Sequence, residues 1–324
     1  MSHRVTLVPG DWIGPETTRA VQQILKTAGV DIAWEMHPIV DGIVSPELIQ
    51  SARSTGRILK NRTKAPRVPG ALPAGIHLRK ELDIWAQVRH VQNLPGLPAR
   101  FNNVDVVVVR ETSEDIYKGF EHETAPGVFE SIKLTTQPAC ERIARFACEL
   151  ALSKGRKKIS IVHKSNIMKK SDGLFLRTAQ AVLAEYPTLQ SEDVIVDALC
   201  MRLVRRPSDF DVLLCGNLFG DIIGDLAAGL AGGISVGGSI NLGEGIKLYE
   251  NPHGKAESLV GTGTANPIPN LMSATWLLDD LGEEQAAERI RKAVHAALKE
   301  GLHTADCGGA DGCEQVIQAI SSRL

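Results

Sequence analysis

Three uninterrupted apolar runs constrain this chain more than any other feature: "VDVVVVRE" (104–111), "KKISIVHK" (157–164) and "FDVLLCGN" (210–217). A strand with water on one face alternates apolar and polar residues. A run that does not alternate needs cover on both faces, which is the situation of parallel strands in a layered α/β protein. Parallel neighbours need a long crossover, usually a helix. The intervening segments "PACERIARFACELALSKG" and "DGLFLRTAQAVLAEYP" are amphipathic and of crossover length. Near the start, "RVTLVPG" reads as a strand ending at Pro and Gly, and "PETTRAVQQILKTAG" as a helix closed by Gly29. "EEQAAERIRKAVHAALKEG" reads as a helix that ends the chain. The expectation is an α/β protein with mostly parallel sheet and helices on both faces.

The ends of these strands carry polar residues: Arg110 and Glu111, His163 and Lys164, and Asn217. Ligands of open α/β sheets gather outside the carboxyl ends of strands, so all are site candidates. Directly after the third run, "GNLFGDIIGD" (216–225) places Asp221 and Asp225 four positions apart in apolar surroundings. On a helix they share one face and repel, so they require a metal ion, a basic partner, or solvent at an exposed helix start. The glycine-rich segments "AAGLAGGISVGGS" (227–239) and "VGTGTANP" (260–267) do not open a helix after a strand, so neither is a Rossmann fingerprint.

Composition narrows the partners. Charged residues make up 23% of the 324 and the formal net charge is -2, which offers no electrostatic reason for nucleic acid or a membrane surface. No stretch approaches 18 uninterrupted apolar residues. The 6 cysteines are scattered without a CxxC spacing and are expected as free thiols. "MSHRVTLVPGDWIGPE" runs into a strand without a signal-peptide core, so the expected location is cytoplasmic.

Several longer patterns then fall together: "LVPGDWIGPE", "LRKELDIWAQVR", "VVVVRETSEDIYKGFEHE", "HKSNIMKKSDGLF", "NLFGDIIGDLAAGL" and "YENPHGKAESLVGTGTANPIP". Spread almost end to end, they resemble the isocitrate/isopropylmalate dehydrogenase family of metal-dependent β-decarboxylating dehydrogenases. The resemblance implies the isopropylmalate dehydrogenase-like two-domain fold. Residues 1–84 and 232–324 would form a discontinuous large, cofactor-side domain. Residues 85–231 would form a small domain with the metal ligands and dimer interface. It also implies a homodimer with shared active sites and a small-molecule hydroxy-acid substrate, oxidised at C2 and then decarboxylated.

Residue by residue, the resemblance implies Asp221 and Asp225 as ligands of Mg²⁺ or Mn²⁺, with Asp197 contributed by the other subunit. Lys164, also from across the interface, would assist hydroxyl deprotonation, and Tyr117 would protonate the enol. Arg79, Arg89 and Arg110 would grip substrate carboxylates, a task for planar guanidinium forks. Without the resemblance, the better reading of Arg79 or Arg89 is a surface ion pair with Glu81 or Asp83. They lie just under three turns apart if "LRKELDIWAQVR" is helical. Asn166 would orient substrate or nicotinamide. Glu250, His253, Gly254, Ala256, Ser258, Gly261 and Asn266 fall in the adenosine-binding loop.

The chain departs from the family where specificity is set. Pro73 and Gly75 stand where isocitrate-type members have Ser and Asn, which removes hydrogen bonds to a γ-carboxylate. His77, mixed with Lys64 or Arg62, suggests an unusual polar or anionic substituent on a malate core. Asn61, Arg62 and Ala65 replace a usual Gly-Pro and Thr, and Trp12 a usual Gly. Ser258 and Leu259 lack the cationic pair of NADP users, and Glu257 would repel a 2′-phosphate, so NAD is favoured over NADP. The alternatives are a tartrate/D-malate-type dehydrogenase and a non-catalytic regulatory paralogue.

Overall fold

The computed structural model describes residues 2–68, 70–233, 237–251 and 254–324. It divides into two compact units, residues 1–84, 93–100 and 231–324, and residues 85–92 and 101–230. One correction to the sequence division follows: 93–100 belongs with the first unit instead of continuing the second. Its fit there is specific. The Asn93 amide donates to the Ala231 carbonyl at 3.2 Å, Leu94 is buried, and Gly96 lies so close to the Leu298 carbonyl that a Cβ would sit 2.2 Å from it.

The first unit opens with β1 (His3–Val8), α1 (Gly14–Thr27), β2 (Ile32–Met36), α2 (Pro46–Thr55), β3 (Arg57–Lys60) and α3 (Ala74–Glu81). Pro15 suits the first turn of α1, where an amide hydrogen would lack a partner anyway. Ala20, Val21, Ile24 and Leu25 form its buried stripe. Each large aliphatic side chain fully buried there contributes about 1.5–3 kcal/mol. Ser45 caps α2 by accepting from the Leu48 amide at 3.2 Å, and Gly56 ends it at φ 64°.

The second unit contains β4 (Ala86–Gln92), β5 (Asp105–Glu111), β6 (Glu121–Ala125), β7 (Val128–Ser131), α4 (Gln137–Ser153), β8 (Lys158–His163), α5 (Ser171–Leu183), β9 (Gln190–Ile195), α6 (Val196–Arg205), β10 (Val212–Cys215) and α7 (Asn217–Ala231). Its main strands run in the order β4-β5-β10-β8-β9, parallel except for β4 against β5. The three apolar runs are its central strands, and Val106 to Val109, Ile159, Ile161 and Val212 to Cys215 are all buried. The hairpin β6/β7 is different, because every residue in both strands is exposed.

The chain returns to the first unit as β11 (Ser239–Leu242), β12 (Lys247–Glu250), α8 (Ile268–Asp280), α9 (Glu284–Lys299) and α10 (Cys313–Ser321). The strands of this unit run β2-β1-β3-β12-β11, parallel except for β11 against β12. Two readings are corrected. The chain ends in α10, not α9. "LRKELDIWAQVR" is helix only to Glu81; Asp83 takes a left-handed turn at φ 47°, and Arg89 lies on a strand. Among the described residues, no helix is long and apolar enough to cross a membrane. All six cysteines are free.

At the carboxyl ends of β3 and β12, Lys60 and Glu250 are register partners and form an ion pair of 3.0 Å. Arg79 joins the carboxylate at 3.2 Å and Asn241 at 2.9 Å. Burial alone would raise the Glu250 carboxyl, but Lys60 and Arg79 outweigh it and hold the group down at about 2. The lowered value means that the unfolded chain binds the proton more readily. The network therefore stabilises fully above the ordinary 4.5 and loses its contribution as the pH falls toward about 2. Glu250→Gln leaves the Lys60 ammonium, only 6% exposed, without a counter-charge. We expect a loss of about 3 kcal/mol near neutral pH. Urea unfolding at stepped pH should show the gap from the parent narrowing below about 4.5.

Candidate functional site

Helix α7 begins two residues after β10, and its exposed face carries Asp221 and Asp225. Each meets a guanidinium from a neighbouring strand. Arg110 on β5, 3% exposed, pairs through Nη1 with Asp221, and Arg89 on β4 pairs with Asp225 at 2.5 Å. The like charges noted in sequence are thus offset by buried cations of the same unit.

The route of Arg110 explains the glycine before the first aspartate. A Cβ on Gly220 would lie 2.6 Å from Arg110 Cγ and 2.7 Å from its Cβ. The arginine can cross α7 at that level because nothing stands there. Asn217 completes the hold: its Oδ1 accepts from Arg110 Nε at 3.0 Å and Nη2 at 2.7 Å, while its amide donates to the Glu114 carbonyl at 3.0 Å. Gln87 accepts from Nη1 at 3.2 Å. Asn217 was visible in sequence as a strand-end residue. Gln87 gave no signal, because only the pairing of β4 with β5 puts it opposite Arg110.

Arg89 is held differently. Its Nη1 is paired, but Nε and Nη2 are buried without a partner among the described residues. Unsatisfied buried donors are expensive, so this guanidinium keeps hydrogen-bonding capacity for an acceptor.

Tyr117 sits in a single-turn helix, 116–118, after Asp115, whose φ is 74°. Its hydroxyl donates to Asp221 at 2.7 Å and Arg110 lies 5.2 Å over its ring. Burial and the bond to Asp221 push the phenol up, so it stays protonated and able to donate. The structure therefore gathers Arg89, Arg110, Tyr117, Asp221 and Asp225 in one unit.

Lys164 and Asp197 form a separate pair. Lys164 Nζ bonds the Asp197 carboxylate in the first turn of α6, and that bond lowers the Asp197 carboxyl. Asn166 is exposed in the turn that follows Lys164. His163 and Glu111, the other strand-end candidates, serve their own loops. His163 is bonded to Ser165 and Asp193, and Glu111 accepts from Ser113 and the Glu114 amide.

Asp221 and Asp225 offer the hard oxygen donors that Mg²⁺ or Mn²⁺ takes. Among the described residues, no group of three or more His, Cys, Asp or Glu could hold a metal ion. The donor chemistry of the two carboxylates fits such an ion.

In the first unit, Arg79 is held by Glu250 and by Asn241, whose Oδ1 accepts at 3.2 Å. His77 leads away from it. Residues two apart do not share a helix face, and its imidazole lies 3.9 Å from Glu81. It lines a groove of about 390 Å³ with Gly42, Ile43, Leu72 and Lys80. Lys64 does not join it there, but pairs with Asp11 and approaches the Trp12 ring at 5.8 Å, with Lys255 at 5.9 Å. Trp12 holds a left-handed φ of 55°, the conformation for which glycine is the usual choice. Asn61 is buried and donates to Gly14, Thr17 and Thr18, so it anchors the start of α1.

Of the expected coenzyme loop, Gly254 and Ser258 are exposed, and Ala256 is left-handed at φ 48°. His253 lies outside the described residues. Asn266 is buried with both ends of its amide engaged: it accepts from the Ile268 amide at 2.9 Å and donates to Asp306 at 3.1 Å. Glu250 is occupied by the network described above.

The sequence model for the isocitrate/isopropylmalate dehydrogenase family matches residues 4–320. Among curated proteins, the chain is 39% identical to the mitochondrial isocitrate dehydrogenase [NAD] regulatory subunit 1 of Arabidopsis thaliana, over 99% of this chain and 89% of that protein. It is 40% identical to isocitrate dehydrogenase [NAD] catalytic subunit 5 of the same organism, over 98% and 88%. It is 41% identical to the chloroplastic 3-isopropylmalate dehydrogenase of Solanum tuberosum, over 92% and 86%. Among solved structures, isocitrate dehydrogenase from Methylococcus capsulatus superimposes with a TM-score of 0.94, at 35% identity over 99% of both chains.

Gly220→Ala tests the passage of Arg110 over α7. The added methyl should cost about 2 kcal/mol by overpacking and displace Arg110 from Asp221. Gly224→Ala, whose Cβ would clear Arg89 by 3.4 Å, should be milder. Thermal unfolding of the two variants side by side reads the difference.

Proposed function

Because this chain belongs to the isocitrate/isopropylmalate dehydrogenase family, we propose that it catalyses the NAD-dependent oxidative decarboxylation of a 2-hydroxy acid of the substituted-malate class. The observation that carries this reading is Arg89, with one nitrogen on Asp225 and two buried nitrogens awaiting an acceptor. A substrate carboxylate is such an acceptor, and a guanidinium binds it through two parallel hydrogen bonds.

Arg79, Arg89 and Arg110 hold the substrate's carboxylates and fix the orientation of C2. Lys164 receives the hydroxyl proton, and NAD, when bound, would supply the acceptor for the C2 hydride. After carbon dioxide departs, the protonated Tyr117 phenol returns a proton to carbon. Asp221, Asp225 and Asp197 would hold Mg²⁺ or Mn²⁺, which when bound supplies a Lewis acid to the substrate hydroxyl and carboxylate. The segment from Glu250 to Asn266 receives the adenosine of NAD, with Ser258 and Glu257 disfavouring a 2′-phosphate.

Lys164 and Asp197 serve the site of a second copy of the chain. Two features support a homodimer. Asp197 is paired with Lys164 instead of joining Asp221 and Asp225 in one chain. Large apolar side chains also stand exposed at Phe120, Phe129, Ile167 and Ile222, the first two in or beside the hairpin β6/β7.

Pro73 and Gly75 offer no side-chain donor on the α3 turns leading to Arg79, so the favoured substrate is a malate whose substituent is not the carboxymethyl group of isocitrate. Relatives that are regulatory subunits make a non-catalytic role the second reading. The complete set of Tyr117, Lys164, Asp197, Asp221 and Asp225 favours catalysis, since a binding subunit has no need of it.

NADH formation over a panel of substituted malates, tartrate and D-malate with Mn²⁺ should show turnover on at least one member. Asp225→Asn should reduce it by at least about 100-fold. Absence of turnover across the panel, together with tight binding to a catalytic relative, would establish the regulatory reading instead. Mn²⁺ affinity by calorimetry should fall when dilution dissociates the dimer, and equal affinity in the monomer would remove Asp197 from the ligand set.

A further inference from the structure

Below the α7 site, the second unit contains a buried ionic bridge that none of the roles above uses. Lys133 lies between β7 and α4, and its side chain is 17% exposed. Its Nζ pairs with Asp115 at 3.1 Å and Asp172 at 3.2 Å, carboxylates that are each 4% exposed. The ammonium also lies 5.1 Å from the Phe219 ring. Beside it is a small void of about 20 Å³, lined in part by Glu111, Glu114 and Asn217.

The two carboxylates have second tasks. Asp115 accepts from the Ile116 amide at 2.8 Å and the Leu218 amide at 3.1 Å, so it fixes both the Tyr117 turn and the first turn of α7. Its own amide donates to the Leu134 carbonyl at 3.0 Å, which ties it to the segment that carries Lys133. Asp172 accepts from the Lys164 amide at 2.6 Å. Lys133 therefore joins the element of Tyr117 and Asp221 to the element of Lys164. Without it, two carboxylates would remain buried side by side and repel.

We propose that Lys133 is a positioning residue that holds the proton-donating Tyr117 and the proton-accepting Lys164 in fixed register through Asp115 and Asp172. This inference rests on the roles proposed above for those two residues. In a dimer with shared sites, Tyr117 would act in its own subunit's site and Lys164 in its neighbour's. A single, mostly buried ammonium would then link two active centres.

Amide hydrogen exchange on the full-length protein tests the bridge without any need for activity. Lys133→Met should accelerate exchange in both 112–120 and 163–173 by about 10-fold or more, while Lys133→Arg keeps both protected. Unchanged protection, or acceleration in only one segment, would overturn the bridge. If the Met variant does not fold, Lys133→Gln, which also removes the charge, is read in its place.

The kinetic arm uses the substrate found in the panel, with deuterium at C2. Lys133→Met should lower kcat by about 10–100-fold and raise the isotope effect on kcat, with KM for NAD within about twofold of the parent. A smaller folded fraction would lower the rate but leave the isotope effect unmoved, and that result would overturn the positioning role. A parent chain without turnover defeats the functional reading, whereas the exchange experiment still decides the bridge.

Discussion

The second unit is organised around two guanidinium groups taken out of water. Arg110 and Arg89 are 3% and 9% exposed, and a buried cation without a counter-charge would cost several kcal/mol. Asp221 and Asp225 supply the counter-charges from the water-facing side of α7. This requirement sets the rest of the local structure. Gly220 must lack a side chain, Asn217 must point back toward β5, and α7 must start directly after β10 so that both aspartates reach their strands. The arrangement also keeps four charges together without net charge.

The first unit uses the same device in a drier form. Lys60 and Glu250 face each other across parallel strands, and Arg79 shares the carboxylate. A guanidinium expected to meet a ligand is thus held at its base by the protein. Side-chain entropy is lost during folding, not at binding, so less remains to be lost when a carboxylate docks.

Much of this was legible in the sequence because it depends on local rules. Non-alternating apolar runs identified the buried parallel strands, and helical spacing identified the crossovers. The strand ends pointed to Arg110, Lys164 and Asn217 before any geometry was known. What escaped were features set by long-range pairing. Gln87 meets Arg110 only through the register of β4 on β5. Lys133 reads as an ordinary charged residue after a strand until Asp115 and Asp172 close on it from distant parts of the chain. The "LRKELDIWAQVR" stretch was ambiguous because short apolar spacing fits either helix or strand, and the left-handed Asp83 decides it. His77 does line a groove, but helix phase turns it away from Arg79.

Helices α3 and α7 differ in how freely they can be rewritten. Helix α3 begins at Pro73 without a side-chain cap, and no Cβ placed on Gly75 would meet another atom within 4 Å. A side chain added at Gly75 therefore encounters little resistance from packing. The first turn of α7 is the opposite, with nearly every polar atom committed to a partner. A lineage carrying this architecture can therefore vary the start of α3 while the charge network on α7 stays fixed. Freedom and constraint in the chain are separated by the local cost of change.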